Sequence, residues 1–288
     1  MNELNILIGN EIKRIRQERN WTQSELCQGI CSQAEISKIE NGHNSPTVDL
    51  LQKIANRLQV PVSLLLKNRK QIKKLKELDH TLLKLTREGN YDRIQRNEGI
   101  DLSDLTSEAI ILFNYYHMIS EYRTGKFDYR TTSVKLYRLL EKKDIKYEFP
   151  EIYLRIKMAI SILYAENDDY RQAEKIYKEL VHSDFSSEEM KVQQLKITYN
   201  YAKLLFKVKN FEKGLAVTLE GIRLSVLLND ASYIAHLYYQ KGEFFEELYG
   251  FDEKTCRAYT MAYELFSAFQ MVRYASIVKE VKEKYLCL

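Results

Sequence analysis

Five aromatic residues, Tyr91, Phe127, Tyr170, Phe211 and Phe251, recur along the chain at intervals of 36, 43, 41 and 40 residues. Polar turns such as Glu88-Gly-Asn, Thr124-Gly-Lys, Asn167-Asp-Asp and Lys209-Asn precede them. A period near 40 with helical patterning on both sides predicts stacked two-helix units, because one hairpin cannot bury its apolar face alone and must stack on the next copy. Composition agrees. Ten glycines and three prolines in 288 residues exclude collagen, low-complexity linkers and turn-rich all-β folds. With 45% hydrophobic residues, and 44 basic against 40 acidic side chains, the chain is not a disordered polyion. No apolar run approaches the roughly 18 residues of a membrane span, and Asn2, Glu3 and Glu11 are unlike a basic signal-peptide start. The expectation is an all-α protein of the cytoplasm with no membrane partner.

Small residues mark where paired helices come close. Ser161, Ala202 and Gly242 stand nine residues before Tyr170, Phe211 and Phe251, and Ala173 and Gly214 stand three after the first two. In this pattern residues 89–288 resemble tetratricopeptide (TPR) repeats with a lengthened second helix, Met118 replacing the small residue in the first repeat and a closing helix from Tyr274. The resemblance implies a right-handed superhelix whose concave surface suits an extended peptide. In that register Arg155 and Met158, then Lys196, Tyr199, Asn200 and Lys203, then His236, Tyr239, Gln240 and Glu243 face the interior. Asn200 and Gln240, forty residues apart, each carry a donor and an acceptor suited to clamping backbone amides. The tyrosines fit either pocket lining or packing between helices.

The first sixty residues read differently. Thr22 with Glu25, and Ser32 with Glu35, have the spacing of capping boxes and predict two short helices ten residues apart. Gly29 supplies the left-handed turn between them. A preceding helix shows Leu7, Ile8, Ile12 and Ile15 on an apolar face beside Lys13, Arg14, Arg16 and Arg19. A later one, after Pro46 and Thr47, shows Val48, Leu51, Ile54, Ala55 and Leu58, and Ser63 to Leu66 make a fifth. The run Trp21-Thr-Gln-Ser-Glu-Leu-Cys27, followed by Ser32-Gln-Ala-Glu-Ile-Ser-Lys-Ile-Glu-Asn-Gly42, resembles the helix-turn-helix of the Cro and lambda repressor class, the XRE family. That resemblance implies that Gln33, Ala34 and Lys38 address base edges in the major groove and that Gln23 contacts the phosphate backbone. Ser32 opens the recognition helix, and Ser37 and Asn41 stand where they can donate to phosphates. A glutamine at a helix start bonds bidentately to adenine, and an alanine methyl packs on thymine. Eight basic against seven acidic side chains in residues 1–67 imply weak binding by one copy, so two copies on a pseudo-palindromic double-stranded operator are expected.

Between these parts, residues 68–88 hold seven basic and three acidic side chains, with Arg69, Lys70, Lys73, Lys74 and Lys76 clustered. Ile72, Leu75, Leu78, Leu82 and Leu85 form one apolar stripe on this connector helix. Packing on the chain's own neighbouring helices and a dimer seam fit the stripe equally well.

The combination of a helix-turn-helix domain (1–67), a basic connector helix (68–88) and a TPR-like domain (89–288) resembles the RRNPP family of peptide-sensing regulators. The likeness runs through Glu11-Ile-Lys-Arg-Ile-Arg16, Leu58-Gln-Val-Pro61, Tyr164-Ala-Glu-Asn167, Tyr199-Asn-Tyr-Ala-Lys203 and Leu237-Tyr-Tyr-Gln-Lys-Gly-Glu243. It implies a quorum-sensing homodimer, in the manner of an activator, that binds a re-imported, extended signalling peptide of about five to seven residues and thereby sets its DNA heads. Asn200 and Tyr274 match the family's peptide-contacting positions. Met158 stands where an asparagine is expected, His236 where a glutamine is, and Gly89 near an expected lysine, which implies a different peptide. No phosphate-cradling glycine loop, HExxH pair or nucleophile elbow is present, and the five histidines are dispersed, so no catalytic residue, metal or cofactor is assigned. Cys27 and Cys31 lack a second ligand pair, and reduced thiols are the default for all four cysteines. The competing reading is a DNA-anchored TPR adaptor or repressor controlled by a protein partner.

Overall fold

The computed structural model describes residues 3–66, 69–141, 145–185 and 187–287. Every site residue expected above lies among them, whereas the expected boundary at residues 67 and 68 lies outside. All regular structure in the described residues is helical. They form two compact units, Met1–Phe113 and Asn114–Leu288.

The first unit opens with five helices, α1 (Glu3–Glu18), α2 (Gln23–Cys27), α3 (Gln33–Glu40), α4 (Val48–Arg57) and α5 (Val62–Leu65). Ile8, Ile12, Ile15, Leu26, Ile36, Ile39, Ile54, Leu58 and Leu65 close one core between them. Thr22 and Glu25 form the reciprocal box at the start of α2. At α3 only half of the expected box exists. Ser32 accepts from the Glu35 N–H at 3.1 Å, but the Glu35 carboxylate accepts from Asn44 Nδ2 at 3.2 Å, because the loop after α3 returns within its reach. Two further expectations need correction. Val48 is exposed, since it occupies the first turn of α4 outside the core. Arg16, placed beside the apolar face of α1, is itself buried. Gly9 allows α1 to lie against the end of α3: a Cβ there would stand 2.1 Å from the Ile39 carbonyl oxygen.

The connector helix α6 (Arg69–Arg87) and α7 (Tyr91–Gln95) follow. Leu78, Leu82 and Leu85 are buried within the chain, as is Ile94 on α7. Intramolecular packing therefore claims the C-terminal half of the apolar stripe, and Ile72 and Leu75 remain half-buried.

The remaining helices are α8 (Ser107–Arg123), α9 (Tyr129–Leu140), α10 (Ile145–Glu148), α11 (Pro150–Glu166), α12 (Tyr170–Leu180), α13 (Glu188–Lys207), α14 (Phe211–Leu227), α15 (Ile234–Tyr249), α16 (Glu253–Ala268) and α17 (Val272–Lys282). Tyr170 and Phe211 are the first residues of α12 and α14. Phe127 and Phe251 immediately precede Asp128 and Asp252, which cap α9 and α16 by accepting backbone N–H bonds at 2.7 and 2.9 Å. Helix α13 packs on its hairpin partner α14 and also on α11 and α15, so the first helices of successive hairpins lie side by side. The small residues sit at the closest approaches. Ser161 donates its buried hydroxyl to the Ala173 carbonyl at 2.9 Å. A Cβ on Gly214 would stand 2.2 Å from Phe244, and one on Gly242 would stand 2.6 Å from Tyr259. Among the described residues no helix is long and apolar enough to cross a membrane.

Candidate functional site

Two sets of residues carry the expectations, one on α3 and one along α13 and α15. Ile36 and Ile39 anchor α3 in the core, which turns Gln33, Ala34, Lys38 and Asn41 to solvent and leaves Ser37 half-buried. Gln33, Ser37 and Asn41 follow at four-residue steps, and Ala34 and Lys38 do the same beside them, so all five share one side of the helix. Asn41 donates from Nδ2 to the Ser37 carbonyl at 2.8 Å, which fixes its amide at the helix end. Ser32 stays exposed as the cap.

A buried ion pair holds this helix, and sequence reasoning missed it. Arg16 donates from Nε and Nη2 to the two Glu40 oxygens at 2.6 and 2.8 Å, and from Nη1 to the Trp21 carbonyl at 2.6 Å. Glu40 is 2% exposed. Gln23 donates from Nε2 to Glu40 at 2.9 Å, so the side chain expected on DNA is oriented by the end of α3 through the same carboxylate. A signal was present: Arg16 follows Ile12 by four residues and so lies on the apolar face of α1. Trp21 is flanked by the guanidinium carbons of Arg19 and Arg57 at 5.7 and 5.8 Å from its ring centre.

The second set converges. Asn200, Lys203, Gln240 and Glu243 line one cavity of about 470 Å³ together with Lys207, Tyr170 and Tyr177. Asn200 donates from Nδ2 to the Lys196 carbonyl at 2.9 Å and touches the Met158 sulfur at 3.7 Å, which brings Met158 to the same wall. Beside it lies an aromatic cluster centred on His236, whose ring centre is 5.8 Å from Tyr199, 4.9 Å from Phe266 and 4.8 Å from Tyr274. Lys203 stands over Tyr199 at 5.7 Å. Gln240 donates to the Tyr199 carbonyl at 3.2 Å, which assigns its other amide atom as an acceptor. That oxygen, Gln240 Oε1, and His236 Nδ1 are buried with no hydrogen-bond partner among the described residues.

Burial governs the electrostatics here. It raises the Glu243 carboxyl to about 7; the neighbouring Glu246 adds to the rise, and Lys282, Lys203 and Lys207 oppose it. Burial, with help from Lys203, lowers the His236 pKa, and burial pushes the Tyr199 phenol up to about 12. The histidine is therefore held in its neutral form, able to accept a hydrogen bond.

Three interior-facing expectations do not join this set; of Lys196 only the backbone carbonyl takes part, as the acceptor for Asn200. Tyr239 packs edge-on against Tyr259 at 5.5 Å, because the helix pair α15–α16 closes over it. Arg155 donates to the Tyr116 hydroxyl at 2.8 Å. Conversely, Lys207, Phe266 and Tyr233, whose ring centre lies 4.8 Å from that of Tyr199, were not foreseen, though Lys207 lies one turn beyond Lys203. A larger cavity of about 760 Å³, lined by Tyr147, Tyr153, Lys157, His182 and Met190 among others, contains none of the expected residues.

Comparison with known proteins yields two family matches, a helix-turn-helix over residues 12–65 and the RNPP family C-terminal domain over residues 80–287. The HTH-type transcriptional regulator SutR of Escherichia coli (strain K12) is 39% identical over 64 residues. That match spans 22% of this chain and only 36% of SutR's own length. Among solved structures, PlcR of Bacillus thuringiensis in complex with the peptide PapR7 and DNA superposes with a TM-score of 0.80 at 26% identity, over 95% of this chain and 99% of that one. ComR from S. thermophilus in complex with DNA and its signalling peptide shares the fold, with a TM-score of 0.65 at 18% identity over 96% and 99% of the two chains.

Proposed function

We propose a function from one premise: the chain belongs to the RNPP family. It is a DNA-binding transcriptional regulator and not an enzyme. In our reading it works in the cytoplasm as a homodimer. Residues 1–67 bind a pseudo-palindromic operator, residues 68–88 connect, and residues 89–288 take a short signalling peptide that switches the regulator towards activation. Gln33, Ala34 and Lys38 read bases; Ser32, Ser37, Asn41 and Gln23 position the helix on the backbone.

One observation carries the peptide assignment. Gln240 Oε1, an acceptor, and His236 Nδ1, which accepts in one of the two neutral tautomers, are buried without partners among the described residues, four residues apart on α15 beside the cavity that Asn200, Lys203 and Glu243 line. A buried acceptor left unpaired costs about 1–3 kcal/mol, which a donor-bearing ligand relieves. Four residues of helix rise about 6 Å. Alternate N–H groups of an extended strand are about 6.6–6.8 Å apart on one edge, so a peptide running along α15 supplies donors at nearly that spacing. Met158, Tyr199 and Tyr274 then meet its side chains. The departures at Met158, His236 and Gly89 support a peptide different from PapR7.

Titration calorimetry with synthetic C-terminal fragments of any small secreted peptide encoded next to the gene tests this. Micromolar or tighter binding of one fragment, lost on scrambling, supports the reading. If every fragment fails and a protein co-purifies stably instead, the site serves a protein partner.

A further inference from the structure

The four cysteines of the described residues are free, and two of them, Cys256 and Cys287, lie on segments that pack together. Cys256 sits in the first turn of α16, buried beside Tyr259, Tyr285, Tyr239 and Leu286. Cys287 follows the 3-10 turn Glu283–Tyr285 and is exposed. Three features seat that segment on α16. The Cys287 N–H donates to Thr260 Oγ1 at 3.0 Å, and Thr260 lies one turn beyond Cys256 on the same side of the helix. Tyr285 stacks on Phe251 at 5.3 Å and tilts against Tyr259 at 5.3 Å. The Tyr285 hydroxyl and the Lys282 amine donate to Glu246 on α15 at 2.9 and 2.5 Å. The backbone of Cys287 is thereby seated on the face of α16 that carries Cys256, one turn from it.

We infer that Cys256 and Cys287 form a reversible oxidative modification site, closing an intramolecular disulfide that encloses α17 in a covalent loop. The oxidant is a peroxide. The thiolate of exposed Cys287 attacks one peroxide oxygen, the O–O bond breaks, and the departing hydroxide takes a proton to leave as water, giving a sulfenic acid on Cys287. The Cys256 sulfur then attacks the Cys287 sulfur, the S–O bond breaks, and the hydroxide released combines with the Cys256 proton as a second water. Two thiols and one hydrogen peroxide become one disulfide and two waters. The order of attack follows from the surroundings: burial raises the Cys256 pKa, with the neighbouring Cys287 adding to it, so Cys256 serves as the resolving thiol. A transient, sensing bond of this kind is the usual form of a disulfide in a reducing compartment.

The consequence reaches the groove. Helix α17 lies between the two cysteines in sequence, and its Tyr274 stands 4.8 Å from His236. Fastening Cys287 to α16 restrains α17 at both ends. This inference goes beyond the peptide reading and does not depend on it.

Counting thiols tests it. The full chain is exposed to hydrogen peroxide, freed of oxidant and alkylated in denaturant, with peptide mapping to locate any cross-link. Two of the four thiols should become protected, reductant should restore all four, and the cross-link should join residues 256 and 287. Cys287→Ser, an exposed position that leaves the core intact, should lose the cross-link. Hydrogen exchange across residues 272–282 should slow in the cross-linked protein. Four reactive thiols after oxidation, a Cys27–Cys31 linkage, a disulfide between chains, or Cys287 sulfinate without a cross-link would each overturn the assignment. Unchanged exchange in protein shown to be cross-linked would overturn the restraint on α17.

Discussion

Replacing Glu40 with alanine should unfold the N-terminal helices far more readily than any loss of packing volume would suggest. Glu40 is 2% exposed and accepts three hydrogen bonds, two from Arg16 and one from Gln23. Without it the buried guanidinium keeps one partner, the Trp21 carbonyl. Breaking a buried ion pair by removing one member costs about 3–5 kcal/mol, because a charge is left desolvated and uncompensated. That is a large part of the roughly 5–15 kcal/mol that holds a domain folded. Trp21 is the one tryptophan of the chain and adjoins the pair, so its fluorescence during urea denaturation of the full chain reports this region selectively. Glu40→Ala should shift the midpoint of that signal by the equivalent of about 3–5 kcal/mol. The double variant Arg16→Met, Glu40→Leu should recover most of the loss, because it removes both charges and fills similar volume. A loss below about 1 kcal/mol for Glu40→Ala, or a double variant as unstable as the single one, would refute the argument.

Gln33→Ala should relax base preference at one operator position by about 1–3 kcal/mol while leaving salt-dependent nonspecific binding intact, and an unchanged footprint would remove Gln33 as a reader. Asn200→Ala should abolish the response to peptide in calorimetry with at most about 1 kcal/mol lost in stability, since its bond to the Lys196 carbonyl is one local hydrogen bond; a collapse in Tm would make it structural. Gly242→Ala should cost about 1–3 kcal/mol, because the added Cβ would lie 2.6 Å from the Tyr259 ring, and a Tm equal to that of the parent would show that α16 can move aside. Glu243, held at about 7 when folded against an ordinary value of 4.5, keeps a proton that the unfolded chain releases. Its contribution to stability therefore falls as pH rises from 4.5 to 7 and is constant above, and Glu243→Gln should flatten the urea midpoint across that window. An identical pH slope in both proteins would contradict the raised pKa.

Features that repeat or act locally could be read from the sequence. The five aromatics recur near every 40 residues, so Ser161, Ala202 and Gly242 could be compared with one another and recognised as the closest approaches. Gly9 plays the same role between α1 and α3 but has no repeat beside which to stand, and in isolation a helical glycine looks merely unfavourable. Caps are local in the same sense. Thr22 and Glu25 pair as their spacing requires, whereas the Glu35 carboxylate leaves its box for Asn44, a partner that only the returning loop supplies.

The groove shows the same limit from the other side. The register of the repeat resemblance put His236, Gln240 and Glu243 on one face of α15, and of these Gln240 and Glu243 line the cavity. It could not reveal that Tyr239, one residue away from Gln240, is claimed by Tyr259, nor that Phe266 and Tyr274 close on His236. Those contacts come from helices 20 to 38 residues downstream, and they enclose the His236 ring. The two unpartnered polar atoms are thus products of tertiary enclosure acting on residues that the repeat register had already placed. A face of a helix is written in its spacing; whether that face is left wanting a ligand depends on what packs around it.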